Sequence, residues 1–219
     1  MRILFLNIAW MERYVGVNEY DLPKGGGSYV EEYMDAHESY NFKAEKVNFE
    51  NETKAGIYCL GFVETKHLNN ERNQLHIEKI CGCELLNDDT KAEDVLVVWC
   101  AKHPAHKFTT VVGWYKHATV YRYHLKADFN YEEGEGIYTQ YFNVIAKAED
   151  CVLLPVSMRS RKVLWEVPRK KVNGRTYGFG QSNVWFANEK DNSKLEDYLK
   201  QLEKKINDYN GENWVTNTY

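Results

Sequence analysis

The sequence predicts an α+β protein dominated by β-structure, a barrel or sandwich with a packed C-terminal helix. Three observations predict it. Short β-prone runs follow one another, separated by connections containing Gly, Asn and Asp. Only one segment shows sustained helical periodicity, and it is the last one. No strand–helix–strand alternation runs along the chain, which argues against a doubly wound sheet.

The expected strands are Ile3 to Ala9, Gly56 to Val63, Leu75 to Ile80, Asp94 to Cys100, Ile137 to Ala146 and Cys151 to Leu153. Thr109 to Tyr115 and Thr119 to His124 read as a pair turning at Lys116-His117-Ala118. The stretch Val95-Leu96-Val97-Val98-Trp99-Cys100 is too apolar to face water on either side. In the final segment Leu195, Tyr198, Leu199, Leu202, Ile206 and Tyr209 recur at helical spacing. Ser193 and Glu196 suit a capping box, and Gly211 a stop. A single domain over 1–219, with 193–210 as its packed helix, is the expected organisation. The length of 219 residues fits one large domain.

Hydrophobic residues at 43% and charged residues at 27% place the chain among globular proteins. The five cysteines are an odd number without a disulfide framework, and no signal peptide or membrane-length apolar run is visible. A cytoplasmic location with reduced thiols and no membrane partner is the expectation. The formal net charge of −4 argues against a histone-like polycation. The charge is nonetheless segregated: residues 95–188 carry 13 basic against 7 acidic side chains. A polyanion partner is therefore sought in that region.

Seven cations fall between 159 and 175: Arg159, Arg161, Lys162, Arg169, Lys170, Lys171 and Arg175. Phosphate contact is the functional reading and a solvated hairpin the bland one. Tyr177-Gly178-Phe179-Gly180-Gln181-Ser182-Asn183-Val184-Trp185 follows directly and mixes glycines, amides and aromatics that suit a base edge. A second dense stretch holds Trp114 and Tyr115, for stacking, beside Lys116 and Arg122, for backbone charge. The bland reading of each aromatic is a core side chain.

Catalytic signatures are sparse. The Pro23-to-Ser28 glycine run lacks the ending of a phosphate-binding loop, and no nucleophile elbow exists. Cys81 and Cys83, and Cys100 with His103 and His106, have zinc-ligand chemistry, although the one-residue cysteine spacing is tight. Acidic residues cluster at Asp128, Glu132, Glu133 and Glu135 without a specific metal geometry.

The segments NIAWMERYVG, GGGSYVEE, VVGWYKHATVYR and GFGQSNVWFA together resemble the PUA-like domain class related to EVE and YTH domains, found in proteins of restriction systems. The resemblance spans residues 7 to 187. It implies an α+β fold, a twisted β-barrel of the PUA-like type with flanking helices and a C-terminal helix. It also implies a modified or flipped base in an aromatic pocket, here Trp10, Trp114, Tyr115 and Trp185 with Ser28 and Asn183 as polar readers. The resulting expectation is a DNA-binding reader, with RNA as a second substrate and a separate nuclease as partner. A non-enzymatic reader is favoured with enzyme status left open, and no cofactor or metal is expected. The alternatives are a small metal-dependent DNA endonuclease of a restriction system and a protein-interaction module.

Overall fold

The computed structural model describes residues 1–25, 37–47, 55–65, 73–106, 108–130 and 136–215. Its strands are β1 (Ile3–Ile8), β2 (Ala44–Val47), β3 (Gly56–Gly61), β4 (Lys91–Lys102), β5 (Thr109–Asn130), β6 (Ile137–Lys147), β7 (Cys151–Leu153), β8 (Glu166–Val167) and β9 (Val184–Trp185). The helices are α1 (Val156–Arg159), α2 (Lys162–Trp165) and α3 (Ser193–Asn207). All strands belong to one sheet in the order β2-β3-β6-β5-β4-β1-β9, with β7 and β8 also pairing with β5. Pairing is antiparallel except between β1 and β4, which run parallel.

This open mixed sheet overturns the expected barrel. Its edge strands, β2 and β9, do not pair with each other among the described residues. They are only 4 and 2 residues long, too short a ladder to close a barrel around the 22-residue β5. The PUA-like architecture implied by the resemblance is therefore not this fold.

The core lies on both faces of the sheet, and strand alternation decides which side chain goes where. Leu4, Leu6 and Ile8 enter one cluster, while Ile3 and Phe5 enter the other. On β4, Val95, Val97, Trp99 and Ala101 share the first cluster, and Val98 and Cys100 the second. This explains why 95–100 is apolar without interruption.

Strand β5 breaks the alternation. Trp99 faces Gly113 but the next β4 residue, Cys100, faces Val111, so β5 carries an extra residue here. The bulge puts Trp114 on the second face with Val111, and Tyr115 on the first with Val112. Only glycine fits at position 113. A Cβ there would lie 2.3 Å from the Val152 carbonyl oxygen and 2.6 Å from the Phe42 ring.

The expected turn at Lys116-His117-Ala118 is instead a second irregularity within continuous β5. His117 and Asp94 both adopt positive φ, at 51° and 57°. Nδ1 of His117 and a carboxylate oxygen of Asp94 lie 2.8 Å apart across the strands. Leu75 to Ile80 is also not a strand: Ile77–Lys79 forms a single 3-10 turn.

Helix α3 lays Leu195, Leu202 and Ile206 on the second face, with Tyr198, Leu199 and Tyr209 beside them. Its cap is Asn192 rather than Ser193; the Asn192 side chain accepts from the Leu195 N–H at 3.2 Å. All five cysteines are free thiols. Among the described residues no helix is long and apolar enough to cross a membrane.

Gly113→Ala should lower unfolding free energy by about 2–4 kcal/mol, because backbone and a buried ring must shift to admit one methyl. Urea denaturation at constant m-value measures this; an unchanged midpoint would mean that the bulge is not tightly packed.

Candidate nucleic-acid interface

The nine expected phosphate ligands have different fates. Arg159 is fully buried. Its Nε donates to the Leu154 carbonyl at 2.6 Å, Nη1 to Met11 at 2.7 Å and Nη2 to Glu12 at 2.7 Å. The guanidinium also lies 5.4 Å from the Trp10 ring centroid and 5.9 Å from that of Tyr14. Burial lowers its pKa to about 10, opposed by the nearby Tyr14. From the other side, Asp21 accepts from the N–H groups of Glu12 and Arg13 at 2.6 and 2.7 Å. Two buried side chains of opposite charge thus satisfy the backbone of an irregular segment.

Arg122 is consumed in the same manner. It donates to the carbonyls of Asp89, Leu86 and Asn87 and pairs with Glu78 at 2.7 Å. Burial pushes the Glu78 carboxyl up, but a backbone hydrogen bond and Arg122 outweigh it and leave it below its ordinary value. Arg175 pairs with Glu166 at 3.0 Å, and that hydrogen bond raises its pKa. Lys170 pairs with Glu189 at 3.0 Å. Arg169 donates to the Thr109 hydroxyl and the Gly180 carbonyl. Lys116 lies at the β5 irregularity, half-buried. Arg161, Lys162 and Lys171 stand exposed.

The expected base pocket is filled by the protein itself. Trp114 and Trp185 do occupy one cluster, beneath α3. Trp114 stacks on Trp165 at 5.5 Å and meets Tyr209 edge-on. Trp185 packs against Phe5 at 4.4 Å and donates its indole N–H to Glu189. Tyr115 is buried on the opposite face, where burial raises its pKa well above the ordinary value. Trp10 is buried between His103 and Arg159. None of these four rings keeps an open stacking face. Asn183 is half-buried, and its backbone carbonyl accepts from the Asn7 N–H at 2.7 Å. Ser28 lies outside the described residues.

A different arrangement does combine rings and cations. The β4–β5 hairpin end closes where the His103 N–H donates to the Phe108 carbonyl at 3.0 Å. It aligns three rings: His103 with Phe108 at 5.7 Å, and His106 with Phe108 at 5.7 Å and 17° between planes. His106 is exposed and Phe108 half-buried. The Lys162 ammonium lies 5.9 Å from the Phe108 ring centroid. Helix α1 is tied to this end by the Thr110 hydroxyl, which donates to the Arg159 carbonyl at 2.8 Å. His103 and Ser160 complete the link at 2.9 Å. Neither 102–109 nor 156–165 contains an acidic residue.

The His103–Ser160 pair is not a nucleophile and its base. Nδ1 of His103 accepts from the Ala105 N–H at 3.2 Å, which leaves the proton on Nε2 to be donated to Ser160. The Ser160 hydroxyl in turn donates to the Val156 carbonyl at 3.2 Å. Burial lowers the His103 pKa, assisted by His106. Cys100 points away into the second cluster. Among the described residues no three His, Cys, Asp or Glu side chains gather as a metal site.

Comparison with family models, with curated proteins and with solved structures returns no match. The geometry is therefore the whole basis for a functional reading. Sequence reasoning found Arg161 and Lys162 but passed over Phe108, and weighed His106 only as a zinc ligand. The available signal was an acid-free run of Lys, His and Phe at a hairpin end.

Replacing Arg159 with Met should cost about 3–5 kcal/mol of stability, since three carbonyls lose their donors in a buried site. Thermal and urea unfolding read this directly. Full stability with weakened ligand binding would instead make Arg159 a phosphate ligand.

Proposed function

We propose that this protein is a non-enzymatic nucleic-acid-binding domain that holds a single or unpaired strand at the end of the β4–β5 hairpin. The observation that carries the reading is the pair of aligned rings, exposed His106 and half-buried Phe108, beside Lys162, with exposed Arg161 preceding it in the chain, in two segments that contain no acid. Rings give stacking without sequence demand, and cations give the phosphate backbone a register. His103 supports this arrangement through the ring stack with Phe108 and the link to Ser160.

Binding here requires no base to enter the protein core, and the filled Trp114–Trp185 cluster has no part in it. DNA and RNA strands offer the same phosphates and ring faces, so both belong in the test.

Arg161→Gln with Lys162→Gln should weaken binding of short single strands of different sequence by similar factors. The slope of log affinity against log salt should fall by about 0.7 per lost phosphate contact. Phe108→Leu should weaken binding by about 1–3 kcal/mol while leaving the salt slope unchanged. Fluorescence anisotropy across a salt series, with DNA and RNA strands, separates the two terms. Unchanged affinity and slope in all variants would remove this surface from the function.

A further inference from the structure

A concave site lies on the later half of β5, around Arg122 and His124. Its cavity is about 260 Å³, just below the usual small-molecule range of roughly 300–1,000 Å³ and suited to one ring system. Three side-chain amides build it by holding the chain that leaves β3. The Gln140 amide donates to the Leu60 carbonyl at 2.7 Å. Asn41 accepts from the Phe62 N–H and donates to the Phe62 carbonyl. Asn143 does the same for Val63, at 3.1 and 2.9 Å. The strand thus continues on side-chain partners, which fixes Phe62 and Glu64 beside the cavity.

The walls are aromatic. Phe62, His124, Tyr141 and His37 form a closed circuit of edge-on pairs with centroids 5.0–6.3 Å apart. Of the polar lining, Arg122 is spent on Glu78 and backbone carbonyls and Asn143 on the Val63 backbone. Glu64 and Asn73 are not. The Asn73 amide nitrogen donates to Glu64 at 3.1 Å, which fixes the orientation of the amide, since the flipped form would set oxygen against oxygen. Its Oδ1 is then a buried acceptor without a partner. Such an atom is costly unless a ligand supplies a donor.

The lining therefore suits a flat ring bearing neighbouring N–H donors that face a carboxylate and an amide oxygen. Guanine presents an imino N–H beside an exocyclic amino group. Adenine and cytosine present an amino group beside a ring acceptor, and uracil a lone imino group between two carbonyls. We infer that this cleft binds a guanine ring, with Glu64 and Asn73 as the acceptors that select it. The inference does not depend on the hairpin surface.

The test is calorimetric titration of the full chain with guanosine, inosine, 1-methylguanosine, adenosine and cytidine, and with single strands differing by one G-to-A change. Guanosine should bind about tenfold more tightly than inosine, which lacks the amino group, and than 1-methylguanosine, which lacks the imino proton. Glu64 is exposed, so Glu64→Gln should fold normally and lose at least about tenfold in guanosine affinity. The Arg161→Gln, Lys162→Gln variant should retain it. Discrimination seen with the nucleosides makes free guanine compounds the source, and discrimination confined to the strands makes it a base within a strand; both support the site. Equal affinities for guanosine and adenosine and for the G and A strands, no binding of either kind, or full guanosine affinity in Glu64→Gln would overturn it.

Discussion

The structure depends on the buried guanidinium of Arg159. It joins the irregular chain after β1 to the end of β7 through the carbonyls of Met11, Glu12 and Leu154. A charge placed there costs desolvation, visible in the lowered pKa of the group, and only hydrogen bonds of good geometry offset it. The Arg159 carbonyl is simultaneously held by Thr110 at the start of β5. One residue thus sets the position of α1, and with it the two exposed cations that follow, Arg161 and Lys162. The proposed binding surface is a consequence of this internal charge rather than of the number of cations nearby.

The second constraint is the shape of β5. Its bulge at Gly113 sends Trp114 and Tyr115 to opposite faces, and each face then absorbs the aromatic side chains that the sequence supplies in quantity. Trp165, Tyr209 and Trp185 close the helical side, and Phe42 and Trp99 the other. Position 61 shows how tight this packing is, since a Cβ there would fall 2.3 Å from the Trp99 ring. The rings proposed to meet a ligand are His106 and Phe108 at the hairpin, and Phe62, His124 and Tyr141 at the cleft.

Much of the secondary structure was legible from local pattern. The strands expected at 3–9, 56–63, 94–100, 137–146 and 151–153 follow from short β-prone runs, and the apolar stripe of α3 from helical periodicity. Closure of the sheet was not legible, because it depends on which strands become edges and how short they are. The break expected at 116–118 was misread because a bulge with positive φ at His117 has the same local chemistry as a turn. The site was harder still. Arg159 and Arg161 are two residues apart with identical side chains, yet one is fully buried and the other exposed. The carbonyls of Met11 and Glu12, far away in sequence, hold Arg159 together with that of Leu154. The cleft gathers His37, Phe62, Asn73, His124 and Tyr141 from separate segments, so no local motif announces it.

The central claim is that nucleic acid meets the hairpin end and not the aromatic segment 177–187. Photo-crosslinking of a uniformly halogenated single strand to the intact protein, followed by peptide mapping, addresses it most directly. The account predicts adducts within 102–109 and 160–165. Adducts confined to 177–187, with none at Phe108 or His106, would contradict it and return the binding site to the segment whose Phe179 and Trp185 side chains are buried.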